Sequence, residues 1–402
     1  MPDQKPISAA EARKRIAENV KPLGEISLAI PRALGYALAE EIVAGENIPQ
    51  FDNSAMDGYA VRAGDTSAAP KILAVIGEVA AGGVAASPVA PGSAMAIMTG
   101  AKIPDGADAV IQHELTELTA DGRLRVMAEI TAGTNIRRAG ADILKGSVVL
   151  RKGDTLRPPE LGILASLGKG FVRVTRAPEV AVLPTGNEIV DIDKTLSEGK
   201  IRNSNSYSLA GLVAEAGAHP VRLEIAKDTA EDLRAKILQG LQSDMLITIG
   251  GVSAGKYDLV LKTWEELGIK LIFWKVNIRP GMPLAFGMKD GKPVFGLPGN
   301  AVSSVVTFMQ FVKQAIEKLM GKTERPRLTI RVKLAHGMKK TDGRRHFVRG
   351  ILENIDGALT VRSTGPQVSN LLTSLSLANC LIILPETSES IAEGEEVDVE
   401  LL

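Results

Sequence analysis

Cysteine is nearly absent from these 402 residues: Cys380 stands alone, so no internal disulfide framework exists, and its apolar setting at 377–384 reads as a buried, inert thiol. Aromatic residues make up only 3% of the chain, which argues against the stacking platforms of single-stranded nucleic-acid binders. Neither sign of charge is in excess: 47 Lys and Arg balance 47 Asp and Glu. No overall basic field draws the chain to nucleic acid or to an anionic membrane, so any anion site must be local. No apolar run is long enough to span a bilayer, and residues 1–11 lack a basic segment followed by an apolar one. The expectation is a cytoplasmic protein that contacts neither nucleic acid nor membrane. The four histidines (His113, His219, His336, His346) lack metal-ligand spacing and no Ser/His/Asp set is apparent, which disfavours zinc hydrolysis and triad chemistry.

What is present is apolar mass and many turns. The length implies about three domains of ordinary size, and 45% apolar residues can fill their cores. Ser8-Ala9-Ala10-Glu11 forms a capping box and predicts a helix to about Val20. Pro31, Leu34, Leu38, Ala39 and Ile42 predict a second helix, to about Val43. Short apolar or alternating runs at 71–75, 94–98, 109–112 and 124–127 predict a β-rich unit, a small barrel or sandwich, inserted before helical character resumes at 158–167. From Val180 the pattern becomes α/β: strands at 180–183, 221–225, 245–249, 270–276, 284–286 and 294–296, helices at 207–216 and 230–238, and a long helix at 301–319. Alternating residues from Leu328 onward predict a small β domain as the tail.

The run Thr248-Ile249-Gly250-Gly251-Val252-Ser253-Ala254-Gly255-Lys256-Tyr257-Asp258 joins a buried strand to a glycine turn, a carboxylate and a helix. Glycines let backbone N–H groups approach an oxyanion, so the turn reads either as a phosphate cradle or as a tight βα turn that binds nothing. In a parallel sheet, ligands gather beyond the carboxyl ends of the strands. Those ends carry Pro184-Thr185-Gly186-Asn187-Glu188, Lys227-Asp228, Gly250-Gly251 and Leu297-Pro298-Gly299-Asn300. Glu188, Asp228 and Asp258 therefore converge on one rim, where they suit a magnesium ion bridging a phosphoanhydride, or else serve as helix caps and solvated loop residues. Asn300 is expected to cap the long helix, either offering with Gly299 another anion-facing helix start or capping and nothing more. Lys275 and Arg279 suit a tetrahedral oxyanion, or a solvated face.

Further motifs make the pattern specific. Asp52-Asn53-Ser54-Ala55-Met56-Asp57-Gly58-Tyr59-Ala60, Met98-Thr99-Gly100-Ala101, Gly106-Ala107-Asp108-Ala109-Val110, Pro184-Thr185-Gly186-Asn187-Glu188, Gly250-Gly251-Val252-Ser253 and Gly296-Leu297-Pro298-Gly299-Asn300 resemble, in this order, the MoeA-type molybdopterin molybdenumtransferases, bacterial counterparts of the gephyrin E domain. The resemblance covers nearly the whole chain. It implies a multidomain α/β plus β protein: a discontinuous helical domain (1–45 and 145–176), an inserted β-rich domain (46–144), a doubly wound MogA/MoaB-like α/β domain that binds molybdopterin (177–326) and a C-terminal β-barrel (327–402). It also implies a homodimer that inserts molybdate into adenylylated molybdopterin with magnesium and releases AMP. Transient contact with a molybdopterin adenylyltransferase follows as a further implication.

Carried over by motif, Glu188, Asp228 and Asp258 would serve the metal and the pyrophosphate. Asp57, Thr99, Arg137 and Asp142 would come from the partner's inserted domain, and Lys275 and Arg279 would hold molybdate or the pterin phosphate. Gly250, Gly251, Ser253, Gly255, Pro283, Pro298, Gly299, Asn300, Ser303, Arg349 and Ser369 would line the substrate. Three departures stand out. Where the family reads Lys-Pro-Gly-Lys-Pro, this chain has Arg279-Pro280-Gly281-Met282-Pro283. Ala301 replaces a usual proline, and Val368 stands where glycine is frequent. Two alternatives are a molybdopterin adenylyltransferase, on the α/β segment alone, and a non-catalytic scaffold of the gephyrin kind.

Overall fold

A computed structural model describes residues 5–252 and 259–402. Contacts divide the chain into two units, Met1–Ala39 with Gly153–Arg157 and Phe171–Leu402, and Glu40–Lys152 with Pro158–Gly170.

The first unit contains a six-stranded sheet in the order His219–Arg222, Glu179–Pro184, Met245–Ile249, Lys292–Leu297, Ala285–Lys289, Lys270–Trp274. The first four run parallel and the last two are antiparallel additions. Alternation along the central strands shows why they read as continuous apolar runs. Val180, Val182, Met245 and Ile247 enter one core with the helices Ala9–Asn19, Asn205–Glu215 and Ala301–Thr307. Ala181, Leu183 and Leu246 enter the other, with Ala230–Gly240 and Leu259–Glu266. Both faces are covered, as a doubly wound sheet requires. The long helix is continuous from 301 to 319 with a π-helical segment, Phe308–Val312, in its middle.

Beyond Pro326 the strands Arg345–Ile355, Ala358–Ser363, Ile330–Leu334, Glu396–Leu401 and Cys380–Leu384 pair in that order, and the last pairs back to the first. This closes a five-stranded barrel and removes its edges. Cys380 is buried in the barrel core, and burial pushes its thiol up to about 11. The strand Ile278–Arg279 of the α/β region adds parallel to Arg345–Ile355, so the two regions share a backbone ladder.

In the second unit the β-rich segment forms one open six-stranded sheet, ordered Ala109–Gln112, Gly58–Val61, Ser93–Ile97, Lys71–Val79, Leu124–Val126, Thr116–Leu118. Among the described residues the segment thus shows this sheet and a separate two-stranded ladder, Asn53–Ser54 with Ile136–Arg137. The sheet's longest strand pairs with Leu124–Val126 at Lys71–Leu73 and with Ser93–Ile97 from Ala74 on, and the second pairing slips register between Val75 and Glu78, around Gly77.

Two expectations near the N-terminus need correction. Ser8 caps the first helix through Glu11 N (3.1 Å), but the Glu11 side chain pairs with Arg15 (2.7 Å) instead of reaching back, so the capping box is half made. The second helix does not form. Only Ile30–Arg32 turns, as a 3-10 segment. Gly35 has φ +82° and donates to Leu156 O, while Leu38 and Ala39 donate to Asp154 O and Arg173 O. Leu38 and Ala39 are buried as their apolar character demands, but through extended pairing, which overrides helix propensity.

Candidate active site

The rim of the parallel sheet is built on two glycine turns. After Met245–Ile249, Gly250 and Gly251 adopt φ of +90° and +65°. A Cβ on Gly251 would overlap Val260, and one on Gly250 would stand 3.1 Å from Thr185 O and Oγ1. Backbone conformation and close packing therefore both demand glycine here. Gly250 N donates to Leu297 O (2.9 Å), and Thr185 Oγ1 donates to Ile249 O (3.0 Å), which fixes the turn between its neighbours. A Cβ on Gly299 would lie 3.7 Å from Gly250 Cα, so the turns at the ends of adjacent strands lie side by side. Ser253, Gly255 and Asp258 lie outside the described residues.

The next strand end supplies carboxylates. Gly186 N donates to Ala226 O, Asn187 N to Asp228 Oδ2 (3.0 Å), and Asp228 N back to Asn187 Oδ1 (3.2 Å). This reciprocal pair holds Asp228 beside the residue preceding Glu188. Neither acid caps a helix: Thr229 caps Ala230–Gly240 by accepting from Asp232 N. Glu188 is exposed and folds its carboxylate over Gly186. Among the described residues no group of three or more His, Cys, Asp or Glu is positioned to hold a metal. Glu188 and Asp228 nevertheless keep carboxylate oxygens without described protein partners. That donor set fits a magnesium ion, which takes one or two carboxylates and completes its shell with water and phosphate oxygens.

Asn300 occupies the cap position of Ala301–Thr307 with extended backbone, but its side chain makes no capping hydrogen bond. The turn is tied instead by Asn205 Nδ2 to Gly299 O (2.6 Å) and by Ser304 Oγ to Pro298 O. Ser303 is buried one residue earlier. Val302 N donates to Ser369 O (3.1 Å), bringing the barrel's loop to the same helix start.

Arg349, expected to line the pocket, is 1% exposed. Its Nε donates to Ser374 Oγ (3.0 Å) and its Nη2 to Val368 O (3.1 Å), with longer contacts to Pro366 O and Gln367 O. It therefore clamps the loop that ends in Ser369. The loop from Arg279 through Gly281 to half-buried Pro283 packs on the same helix, where a Cβ on Gly281 would overlap Thr307. Lys275 takes φ +72° and places its ammonium 4.1 Å from the Trp274 ring centre. Arg279 is exposed and reaches Asp342 (Nη1 to Oδ2, 3.4 Å).

Asp342 was not singled out by sequence. It accepts from Arg344 (Nη2, 2.6 Å; Nε, 2.9 Å) and meets His346 Nε2 at 2.8 Å. Burial opposes its ionisation, and the hydrogen bonds from His346 and Arg344 overcome that, holding its carboxyl well below the usual range. Burial likewise pushes the His346 imidazole down, against the pull of Asp342. The charge density of Thr341-Asp342-Gly343-Arg344-Arg345-His346 was visible in the sequence, but its pairing with Arg279, 63 residues away, was not.

In the second unit, loop 52–57 lies between two others. Ser54 N donates to Ala101 O, Gly100 N to Ser54 O, and Ala55 N to Asn135 O. Asp57 Oδ1 accepts from Thr99 N (2.6 Å) and Thr99 Oγ1 (2.8 Å), and the backbone bond first and the hydroxyl second hold its carboxyl below the ordinary value. Arg137 sits across the ladder from Asn53 and is exposed. Its neighbour Arg138, which the sequence reading did not select, pairs with Asp52 (2.6 Å). Thr99 and Arg137 thus flank the loop that ends in Asp57. Asp142 lies one turn further on, its N–H bound to Ile48 O. Gly58 is dictated by packing, since a Cβ would overlap Ile111 O.

Fold and rim define a multidomain α/β protein with glycine turns at the carboxyl ends of parallel strands, capped by a closed barrel. The MoeA N-terminal region (domain I and II) matches residues 7–168, the "Probable molybdopterin binding domain" matches 181–318, and the MoeA C-terminal region (domain IV) matches 331–402. The molybdopterin molybdenumtransferase of Haemophilus influenzae is 38% identical over 398 residues, 98% of each chain. That of Bacillus subtilis is 35% identical over 405 residues, 99% of this chain and 94% of its own. The molybdopterin biosynthesis moeA protein of Pyrococcus horikoshii superposes with a TM-score of 0.82 at 32% identity, covering 99% of this chain and 100% of that one. The chain belongs to the MoeA family of molybdopterin molybdenumtransferases.

Proposed function

We propose that this protein completes molybdenum cofactor biosynthesis by inserting molybdate into adenylylated molybdopterin with release of AMP, acting as a magnesium-dependent homodimer in the cytoplasm. The full-length likeness to molybdopterin molybdenumtransferases carries this reading, and the paired glycine turns of the rim supply it with a place for phosphate. Backbone N–H groups at Gly251 and Gly299 face the pyrophosphate, where fixed dipoles cost no reorganisation as charge moves, while the Gly250 N–H donates to Leu297 O and fixes the turn. Glu188 and Asp228 would hold the magnesium ion. When bound, the metal neutralises charge on the phosphoanhydride. Lys275 and Arg279 hold the oxyanion, Arg279 offering a planar fork and Lys275 a point charge. Arg349 fixes the loop that presents Ser369, and Asp57, Thr99, Arg137 and Asp142 of the partner subunit complete the site. The adenylylated substrate reaches the protein by transient contact with an adenylyltransferase.

The test is to incubate purified protein with adenylylated molybdopterin and magnesium, then add molybdate. AMP release that starts on molybdate addition is expected. Release without molybdate, or none with it, would sink the reading. ATP-dependent adenylylation of bare molybdopterin would instead favour an adenylyltransferase.

A further inference from the structure

We propose that Asp342 is a positioning residue for oxyanion recognition, orienting the Arg279 guanidinium so that its remaining donors face the incoming molybdate. The inference rests on the functional reading above. It adds a carboxylate that neither the sequence motifs nor the family likeness assigns.

Arg279 is an exposed side chain at the end of a two-residue strand, and a flexible guanidinium there would lose rotamer entropy on binding an anion. Asp342 offsets that loss in advance. It engages Arg279 through Nη1 alone at 3.4 Å, while Nε and Nη2 make no described protein hydrogen bond. One edge of the fork is held and the rest stays available, the arrangement that bidentate recognition of a tetrahedral anion needs.

Asp342 is itself held rigidly. Arg344 binds it through Nε, Nη2 and backbone N, and His346 Nε2 meets its other oxygen at 2.8 Å. The surrounding backbone is pinned as well. Asn277 Nδ2 donates to Gly343 O (3.1 Å), Arg345 N donates to Asn277 O (3.1 Å), and Arg279 lies opposite His346 in the parallel ladder. The strand that carries Arg279 and the loop that carries Asp342 are therefore one rigid piece, joined by backbone and side-chain bonds. The arrangement matters more here because Met282 supplies no second cation in Arg279-Pro280-Gly281-Met282-Pro283. With Lys275 as its one proposed companion, Arg279 must be well aimed.

Partners that orient metal ligands change affinity or activity by about 10–100-fold when removed, and a carboxylate that orients an anion-binding arginine is expected to act on the same scale. Molybdate dependence of AMP release should be measured for wild type, Asp342→Asn, Asp342→Glu, Arg279→Ala and the Arg279→Ala/Asp342→Asn double variant, with Glu353→Gln as a barrel-surface control. Asp342→Asn is expected to raise the half-saturating molybdate concentration about tenfold with kcat changed far less. Asp342→Glu should recover most of that loss, and the double variant should be no worse than Arg279→Ala, because the two residues act as one unit. Should Asp342→Asn fail to fold, Asp342→Ser takes its place with the same expected rise in half-saturating molybdate. Unchanged molybdate dependence in a folded Asp342→Asn, or losses that add in the double variant, overturns the inference alone. A wild type that consumes adenylylated molybdopterin without any molybdate dependence overturns the functional reading and this inference together.

Discussion

The sheet rim and the barrel edge lie in one unit of the chain and handle anion chemistry in opposite ways. The rim is built from backbone: Gly250, Gly251 and Gly299 are bare and close together, with Gly250 N tied to Leu297 O and Gly299 O to the Asn205 side chain. Its acids, Glu188 and Asp228, are exposed. The barrel edge is built from side-chain charge, and nearly every charge is already engaged: Arg349 by loop carbonyls and Ser374, Arg344 and His346 by Asp342. A backbone cradle tolerates any phosphate that fits, whereas interlocked side chains fix the placement of a few donors. Under the proposed function, the rim would hold the nucleotide pyrophosphate and the edge would select the small oxyanion.

The comparison breaks most readily at the rim's glycines. Gly251→Val forces a β-branched residue into positive φ against Val260 and should cost about 3 kcal/mol or more. Urea denaturation would measure that, and wild-type stability would refute the packing argument. Next comes the clamp. Arg349→Met leaves Ser374 and the carbonyls at 366–368 without their buried donor, a loss of about 2 kcal/mol. Hydrogen exchange should show the loop opening; a loop as protected as in wild type would mean that Arg349 does not hold it.

The smallest effect is on pH. Asp342 has a depressed carboxyl in the folded protein, its burial outweighed by hydrogen bonds from His346 and Arg344, so its contribution is fully present above the unfolded value near about pH 4 and fades as the pH falls further. The difference in melting temperature between wild type and Asp342→Asn should stay constant above that pH and shrink only below it. A difference that vanishes near neutrality would point to His346 as the titrating group.

What was legible in the sequence follows the same division. Strands such as Met245–Ile249 and Ala109–Gln112 were visible because apolar runs and punctuating glycines are local signals. The rim was legible because parallel strands deliver their carboxyl ends to one edge. The barrel edge was not. Arg349 entered only through the resemblance, and a charged residue inside an apolar strand carries no sign of which partners will cover it. Asp342 was passed over because its partner Arg279 is distant in sequence, and the missing helix after Pro31 was lost to pairing with segments more than a hundred residues away.

The division of labour between the two regions is tested most directly by one steady-state matrix of AMP release, varying magnesium and molybdate independently for wild type, Asp228→Asn and Arg279→Ala. Asp228→Asn should raise the magnesium requirement and leave molybdate half-saturation near wild type, while Arg279→Ala should do the reverse. If Asp228→Asn shifts the molybdate dependence instead, or Arg279→Ala the magnesium dependence, the rim and the barrel edge do not divide the substrate as described.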